Sequence, residues 1–388
     1  MYIDNLIFQL SAIIIGAAVL GTLFLYARQP IIIAYIAIGL IIGPSGFGLI
    51  KDTHQIEQIS HFGIILLLFL IGLNLQPSRL LRLFKKTSPL TLTTSFTFAL
   101  FAALFAFALN FDLINILIIS AAMMFSSTVI SLKLIPTTTL HHKRKGEIMT
   151  SVLLIQDIIA ILVILFITGD NGGNTFFTFS ILIAKLSLLC LLAFAGVKYV
   201  MTPLLIKFDV VQEYTFLATL AWCLLWAEAA YVIGLSYELG AFIAGLSIAS
   251  CIVAQVIAEH LKPLREFFLI LFFFAVGAEL NLDTDLTLLL SAIAFGAFIV
   301  PLKAFIFRYA FTRAGESKEL STELAARLSQ SSEFSLLIAF SALSLGLLTN
   351  ESAIVIQVAT ITSFIVSTYW VVLKYPTTIS NDARLHQD

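Results

Sequence analysis

Apolar residues run along this chain in long blocks separated by short polar or Gly/Pro stretches, a pattern that predicts helices crossing a bilayer. The first seven blocks are 6–26, 31–43, 60–74, 88–109, 113–135, 147–168 and 178–199. The remaining six are 211–233, 237–255, 265–281, 286–311, 319–348 and 351–373, which makes thirteen spans. A hydrocarbon core of ~30 Å needs about 20 residues at ~1.5 Å each. Block 31–43 is short for that, and it ends at Gly43-Pro44-Ser45-Gly46.

Charge placement supports this count. With an external N-terminus and thirteen spans, 17 of the 22 Lys and Arg residues fall in inside loops or at the span ends that border them, among them Arg79, Arg82, Lys143, Arg144, Lys145, Arg313 and Lys318. A missed span would scramble that alternation. The expected setting is a bacterial plasma membrane, with the N-terminus outside and the C-terminus cytoplasmic.

Composition agrees. Of 388 residues, 60% are hydrophobic and 12% charged, against about 45–50% and 25% in soluble domains, so the class is all-α polytopic membrane protein with lipid as its first partner. A net charge of −1 argues against a nucleic-acid partner. Cys190, Cys223 and Cys251 lie in apolar runs without metal-ligand spacing and read as reduced, buried thiols. The N-terminus lacks a basic n-region and a small-residue cleavage site, so Leu6–Tyr26 reads as a retained first helix.

The chain also repeats. Phe69-Leu70-Ile71-Gly72-Leu73-Asn74-Leu75 ends span three, and Phe274-Ala275-Val276-Gly277-Ala278-Glu279-Leu280-Asn281-Leu282 ends span ten. Ile38-Gly39-Leu40 in span two is echoed by Ala244-Gly245-Leu246 in span nine. Both echoes lie seven spans apart. Seven is odd, so the copies have opposite topology, as in secondary transporters whose site lies at the midplane between inverted repeats. Span five carries Ser126-Ser127-Thr128 at its middle, and span twelve carries Ser329-Gln330-Ser331-Ser332-Glu333. Short hydroxyl side chains satisfy backbone groups freed by local unwinding, so both spans are candidates for interrupted, crossing helices; the plainer reading is interhelical glue.

Ionisable residues inside spans are costly, about 2.5–3.5 kcal/mol for a central Asp on insertion scales, and mark functional sites. They are Asp157 in span six, Glu228 in span eight, Lys303 in span eleven, and Arg327 and Glu333 in span twelve. Lys303 is the expected counter-ion of Asp157, because a buried carboxylate and ammonium keep their charges only when paired. A competing cation or proton would open such a pair, which is the logic of an exchanger; a permanent stabilising pair is the alternative. Glu333 is expected to balance a helix dipole or pair with Arg327, and Glu228 is a secondary candidate. No Walker sequence, dinucleotide fingerprint, metal set or nucleophile–base pair is present, which points away from an enzyme and from any cofactor.

Several motifs stand in a recognisable order: Ser126-Ser127-Thr128, Gln156-Asp157, Glu238-Leu239-Gly240-Ala241-Phe242-Ile243-Ala244-Gly245, Phe272–Gly277 and Gln330-Ser331-Ser332-Glu333-Phe334. Together they resemble the membrane domain of monovalent cation/proton antiporters, in the branch of the Kef potassium efflux systems. The resemblance implies an NhaA-type fold with crossed, discontinuous fifth and twelfth helices, a homodimer, and a six-helix core moving like an elevator. By that resemblance Asp157 carries the cation or the proton, and Gln156, Ser126, Ser127 and Thr128 belong to the same site. Gln156-Asp157 is similar to the potassium-associated pattern. The implied division is scaffold 1–85, core 86–170, linker helix 171–210, scaffold 211–283, core 284–373 and cytoplasmic tail 374–388. Many relatives have glycine where Ser331 and Ser332 stand. A separate cytoplasmic regulatory domain or subunit is a further expected partner, since Kef systems continue into a nucleotide-binding domain. A gated, channel-like potassium efflux module, a regulatory membrane subunit and an organic-solute transporter are the rival readings.

Overall fold

The computed structural model describes residues 5–27, 29, 31–50, 54–74, 77–133, 144–168, 175–208, 211–235, 237–249, 251, 254–278, 280 and 285–377. The helices are α1 Leu6–Tyr26, α2 Ile31–Ile42, α3 His54–Asn74, α4 Pro77–Ala108, α5 Leu113–Met123, α6 Thr128–Lys133, α7 Arg144–Thr168 and α8 Thr175–Gly196. A π-helical turn, Val197–Met201, joins α8 to α9 Thr202–Lys207. There follow α10 Gln212–Val232, α11 Tyr237–Ile248, α12 Ala254–Ala278, α13 Leu286–Arg313, α14 Lys318–Arg327, α15 Glu333–Ser344 and α16 Asn350–Lys374. No strand occurs among the described residues, and every apolar block carries helix. Seven of these segments are by themselves long and apolar enough to cross a membrane; α2, α5, α11 and α15 are shorter apolar helices.

Helix starts follow local chemistry. Asn5, Asp285, Ser317 and Thr349 cap α1, α13, α14 and α16 through side-chain oxygens that accept from amides of the first turn. Several helices begin earlier than their apolar blocks: α3 at His54 rather than residue 60, α4 at Pro77 rather than 88, α7 at Arg144 rather than 147, α8 at Thr175 rather than 178 and α12 at Ala254 rather than 265. Hydropathy marks the apolar length, whereas a helix continues through polar residues until its backbone is capped.

The chain forms two compact units. One gathers α1, α2, most of α4, α5, α6, most of α7, the end of α12 and α13–α16; the other gathers α3, the end of α7, α8–α11 and most of α12. The first contains a phenylalanine-rich core in which Phe98, Met149, Val152, Leu153, Phe307, Phe311, Leu324 and Leu328 are buried together. Phe98 meets Phe307 edge to face at 5.0 Å, and Phe105 stacks on Phe295 at 3.9 Å. In lipid such contacts stabilise by close packing rather than by removing surface from water.

Each unit contains a helix pair that approaches at backbone distance through the repeated glycines, and the two pairs obey the same rule. In the first unit α2 packs on the end of α12: a Cβ on Gly39 would lie 2.1 Å from the Phe274 carbonyl oxygen, and one on Gly277 would lie 2.0 Å from that of Ile36. In the second unit α3 packs on α11: a Cβ on Gly245 would lie 1.9 Å from the Phe69 oxygen, and one on Gly72 would lie 2.3 Å from that of Phe242. The sequence echo equates Gly39 with Gly245, Phe69 with Phe274 and Gly72 with Gly277. Under that equation the α2·α12 contact becomes the α11·α3 contact residue for residue. The fold thus uses one glycine-mediated contact twice, as an internal repeat requires. The ends of the span-ten motif, Glu279 and Asn281, lie outside the described residues.

Candidate ion site at the crossing of two interrupted helices

Spans five and twelve are both broken. Residues 124–127 separate α5 from α6, and residues 328–332 separate α14 from α15. Ser127 Oγ accepts from Ile130 N at 3.1 Å at the start of α6. Ser332 caps α15, its Oγ accepting from Phe334 N at 3.1 Å while Ser335 Oγ accepts from Ser332 N at 3.3 Å. The serines at this break therefore do not prevent unwinding; the Ser332 hydroxyl supplies the cap.

The two breaks are knitted together. Ser131 of α6 donates to the Arg327 carbonyl at 3.0 Å, and Ser335 of α15 donates to the Ala122 carbonyl at 2.5 Å. Each C-terminal half-helix end is thereby satisfied by a serine from the first turn of the opposite continuation. Gln330 bridges the breaks, donating to Ser131 Oγ at 2.6 Å and to the Ser127 carbonyl at 3.3 Å.

α7 delivers Asp157 and Gln156 to this crossing. Asp157 is 1% exposed, and both of its oxygens lie 3.0 Å from Thr128 Oγ1, whose hydroxyl donates from the first residue of α6. Positive half-helix N-termini favour negative charge there. Glu333, the first residue of α15, is close enough to Asp157 for the two carboxyl groups to interact electrostatically. The crossing therefore brings together Ser126, Ser127, Thr128, Gln156, Asp157, Gln330, Ser331, Ser332 and Glu333. The Oγ atoms of Ser126 and Ser331, both on fully buried residues, meet no hydrogen-bonding partner among the described residues.

Lys303 corrects the expectation. It is fully buried on α13, but it makes no ion pair with Asp157. Its Nζ donates to the Phe125 carbonyl at 2.6 Å and lies 5.2 Å from the centroid of the Phe98 ring. The broken end of α5 exposes carbonyls that carry the negative end of its dipole, and an ammonium answers that need as well as a carboxylate's. Asp157 is served instead by a hydroxyl.

Gln156 is engaged at both ends. Its Oε1 accepts from Ser126 N at 3.0 Å, and its Nε2 donates to Ser95 Oγ on α4 at 3.1 Å. Ser95, Ser131 and Ser335 were not singled out by sequence. Their signal was a polar residue facing a break in an otherwise apolar span, which one sequence does not separate from helix–helix glue.

Arg327 turns its guanidinium away from the crossing. It donates to Glu323 at 3.0–3.1 Å and to the Pro376 carbonyl at 2.7 Å, over the Tyr375 ring. Glu323 also binds Lys145, and Arg144 pairs with Glu316 at 2.7 Å. Four residues on one helix bring Arg327 and Glu323 together, whereas the break intervenes before Glu333. Burial, and after it Glu323, raises the Tyr375 phenol above its usual range. Glu228 belongs to the second unit, where the Tyr237 hydroxyl hydrogen-bonds it.

Residues 11–374 match the family model of the transmembrane sodium/hydrogen exchanger. The chain belongs to that family. K(+) efflux antiporter 4 of Arabidopsis thaliana is 28% identical over 359 residues, which cover 89% of this chain and 60% of that relative. The chain thus spans about three fifths of that relative's length. The iron transporter MagA of Paramagnetospirillum magneticum is 26% identical over 373 residues, covering 93% of this chain and 84% of MagA. Among solved structures, the sodium proton antiporter MjNhaP1 of Methanocaldococcus jannaschii superposes with a TM-score of 0.70 at 17% identity over 94% of this chain and 96% of its own. The fold of this exchanger-family chain is accordingly the antiporter fold, in a multi-pass membrane protein.

Proposed function

We propose that the protein is a secondary antiporter exchanging a monovalent cation, K⁺ or Na⁺, for H⁺ across the plasma membrane. The observation that carries this reading is Asp157: a carboxylate 1% exposed, held by Thr128 where two interrupted helices cross. Cation and proton compete for it, and the mobile helices cross only when one of them has neutralised the charge. The buried Ser126 and Ser331 hydroxyl oxygens, with Glu333 nearby, supply further ligand chemistry for a dehydrated cation. Hard oxygen donors suit alkali cations. The helices bearing the two breaks, with α4, α7, α13 and α16, form the moving core of an elevator, and α1–α3 with α10–α12 form the scaffold of a homodimer. Family membership, the potassium efflux relative and the Gln156-Asp157 pair support cation/proton exchange.

The test is Asp157→Asn in proteoliposomes carrying a pH-sensitive dye. Cation-driven proton movement should vanish, and retained movement would sink the proposal. Wild-type cation current without proton counter-movement would favour the channel-like alternative.

A further inference from the structure

We infer that Ser363 on α16 is a positioning residue for transport, holding open the break of span twelve as Gln156 holds open that of span five. This rests on the crossing being the transport site. Breaking a helix inside a membrane frees amides that water cannot reach, and each needs a partner. At the first break the freed amide is Ser126 N, which donates to Gln156 Oε1 at 3.0 Å from the following span. At the second break it is Ser331 N, which donates to Ser363 Oγ at 2.9 Å, again from the following span. Ser126 and Ser331 are equivalent positions, each directly before the serine that caps the continuing half-helix.

The Ser363 hydroxyl proton is engaged by the Thr360 carbonyl at 2.7 Å, which leaves its lone pair aimed at Ser331. One turn on, Ser367 donates to Gln330 Oε1 at 3.0 Å, so α16 grips two neighbouring residues of the break. Gln330 in turn reaches the first break through Ser131 and the Ser127 carbonyl. Ser363 thereby fixes the backbone two residues before Glu333, whose carboxyl group interacts with Asp157. The two holders differ in one respect. Gln156 precedes the ion-binding candidate Asp157, whereas Ser363 precedes Phe364, which is fully buried and apolar. Ser363 can therefore be altered without touching a charge.

The experiment uses the full chain with Ser363→Ala and Ser363→Thr, read by hydrogen exchange over residues 328–332 and by proton flux in liposomes against K⁺ and Na⁺ concentration. Ser363→Ala should speed exchange in that segment and lower maximal flux about tenfold, the usual effect of a buried amide left unsatisfied. Half-saturating cation concentration should move less than about threefold, because no ligand is removed. Ser363→Thr, which keeps the hydroxyl, should restore both. Unchanged exchange and flux in Ser363→Ala would overturn the inference, as would a threonine variant as impaired as alanine. If wild type carries no cation-coupled flux, the transport reading fails and the role in transport with it. The exchange arm then still decides whether Ser363 holds the break.

Discussion

At the scale of single residues, the choice made by Lys303 is the most consequential. An ammonium buried over the Phe98 ring must find an acceptor, and it takes the Phe125 carbonyl at the broken end of α5. Lys303→Met keeps the volume but strands that carbonyl, so stability should fall by about 1–3 kcal/mol. A double-mutant cycle with Asp157→Asn, read by thermal unfolding in detergent, should give a coupling energy below about 0.5 kcal/mol. Coupling above about 2 kcal/mol would show instead that the two residues form an ion pair. Gln156 makes a parallel point. Its amide is tied to Ser126 and Ser95, so whatever it contributes to cation choice comes with the geometry of the break.

At the scale of elements, half-helices and glycine contacts dominate. Ser332 closes α15 by a capping box, and Ser332→Ala should cost about 1 kcal/mol, measurable as a lower melting temperature. The reciprocal glycine contacts are stiffer. A methyl on Gly245 meets the Phe69 carbonyl oxygen at 1.9 Å, and neither backbone yields cheaply. Gly245→Ala, and its repeat partner Gly39→Ala, should each destabilise by several kcal/mol, on the order of a core overpacking or worse, seen as poor expression and early unfolding. Equal severity at both positions is expected from the repeat; tolerance at one alone would separate the two copies. The π-helical turn at Val197–Met201, between α8 and α9, has no counterpart in hydropathy, because backbone winding leaves the apolar pattern unchanged.

At the scale of the whole molecule, the predictions concern direction and assembly. With an external N-terminus, a single cysteine at Phe47, which is 81% exposed, should react with impermeant maleimide from outside, and one at Arg313 only from the cytoplasmic side. Reversal of that pattern would overturn the orientation. Light scattering in detergent should give twice the mass of the chain. Flux against K⁺, Na⁺ and Li⁺ with the membrane potential clamped or free then distinguishes electroneutral from electrogenic exchange.

Much of this was legible in the amino-acid order. The apolar blocks, the two hydroxyl clusters that became breaks, the in-span carboxylate at Asp157 and the seven-span echo are local or periodic signals. They follow from the cost of burying charge and backbone in lipid, which acts on each segment by itself. Tertiary structure alone decided the partners. Lys303 and Phe125 are 178 positions apart, and the residues that flank them do not reveal whether the ammonium meets a carboxylate or a carbonyl. Ser95, Ser131, Ser335 and Ser363 look like ordinary small polar residues until the opposing break is placed against them. A hydrogen bond needs a few tenths of an ångström of precision between elements, and that precision arises only when the helices pack.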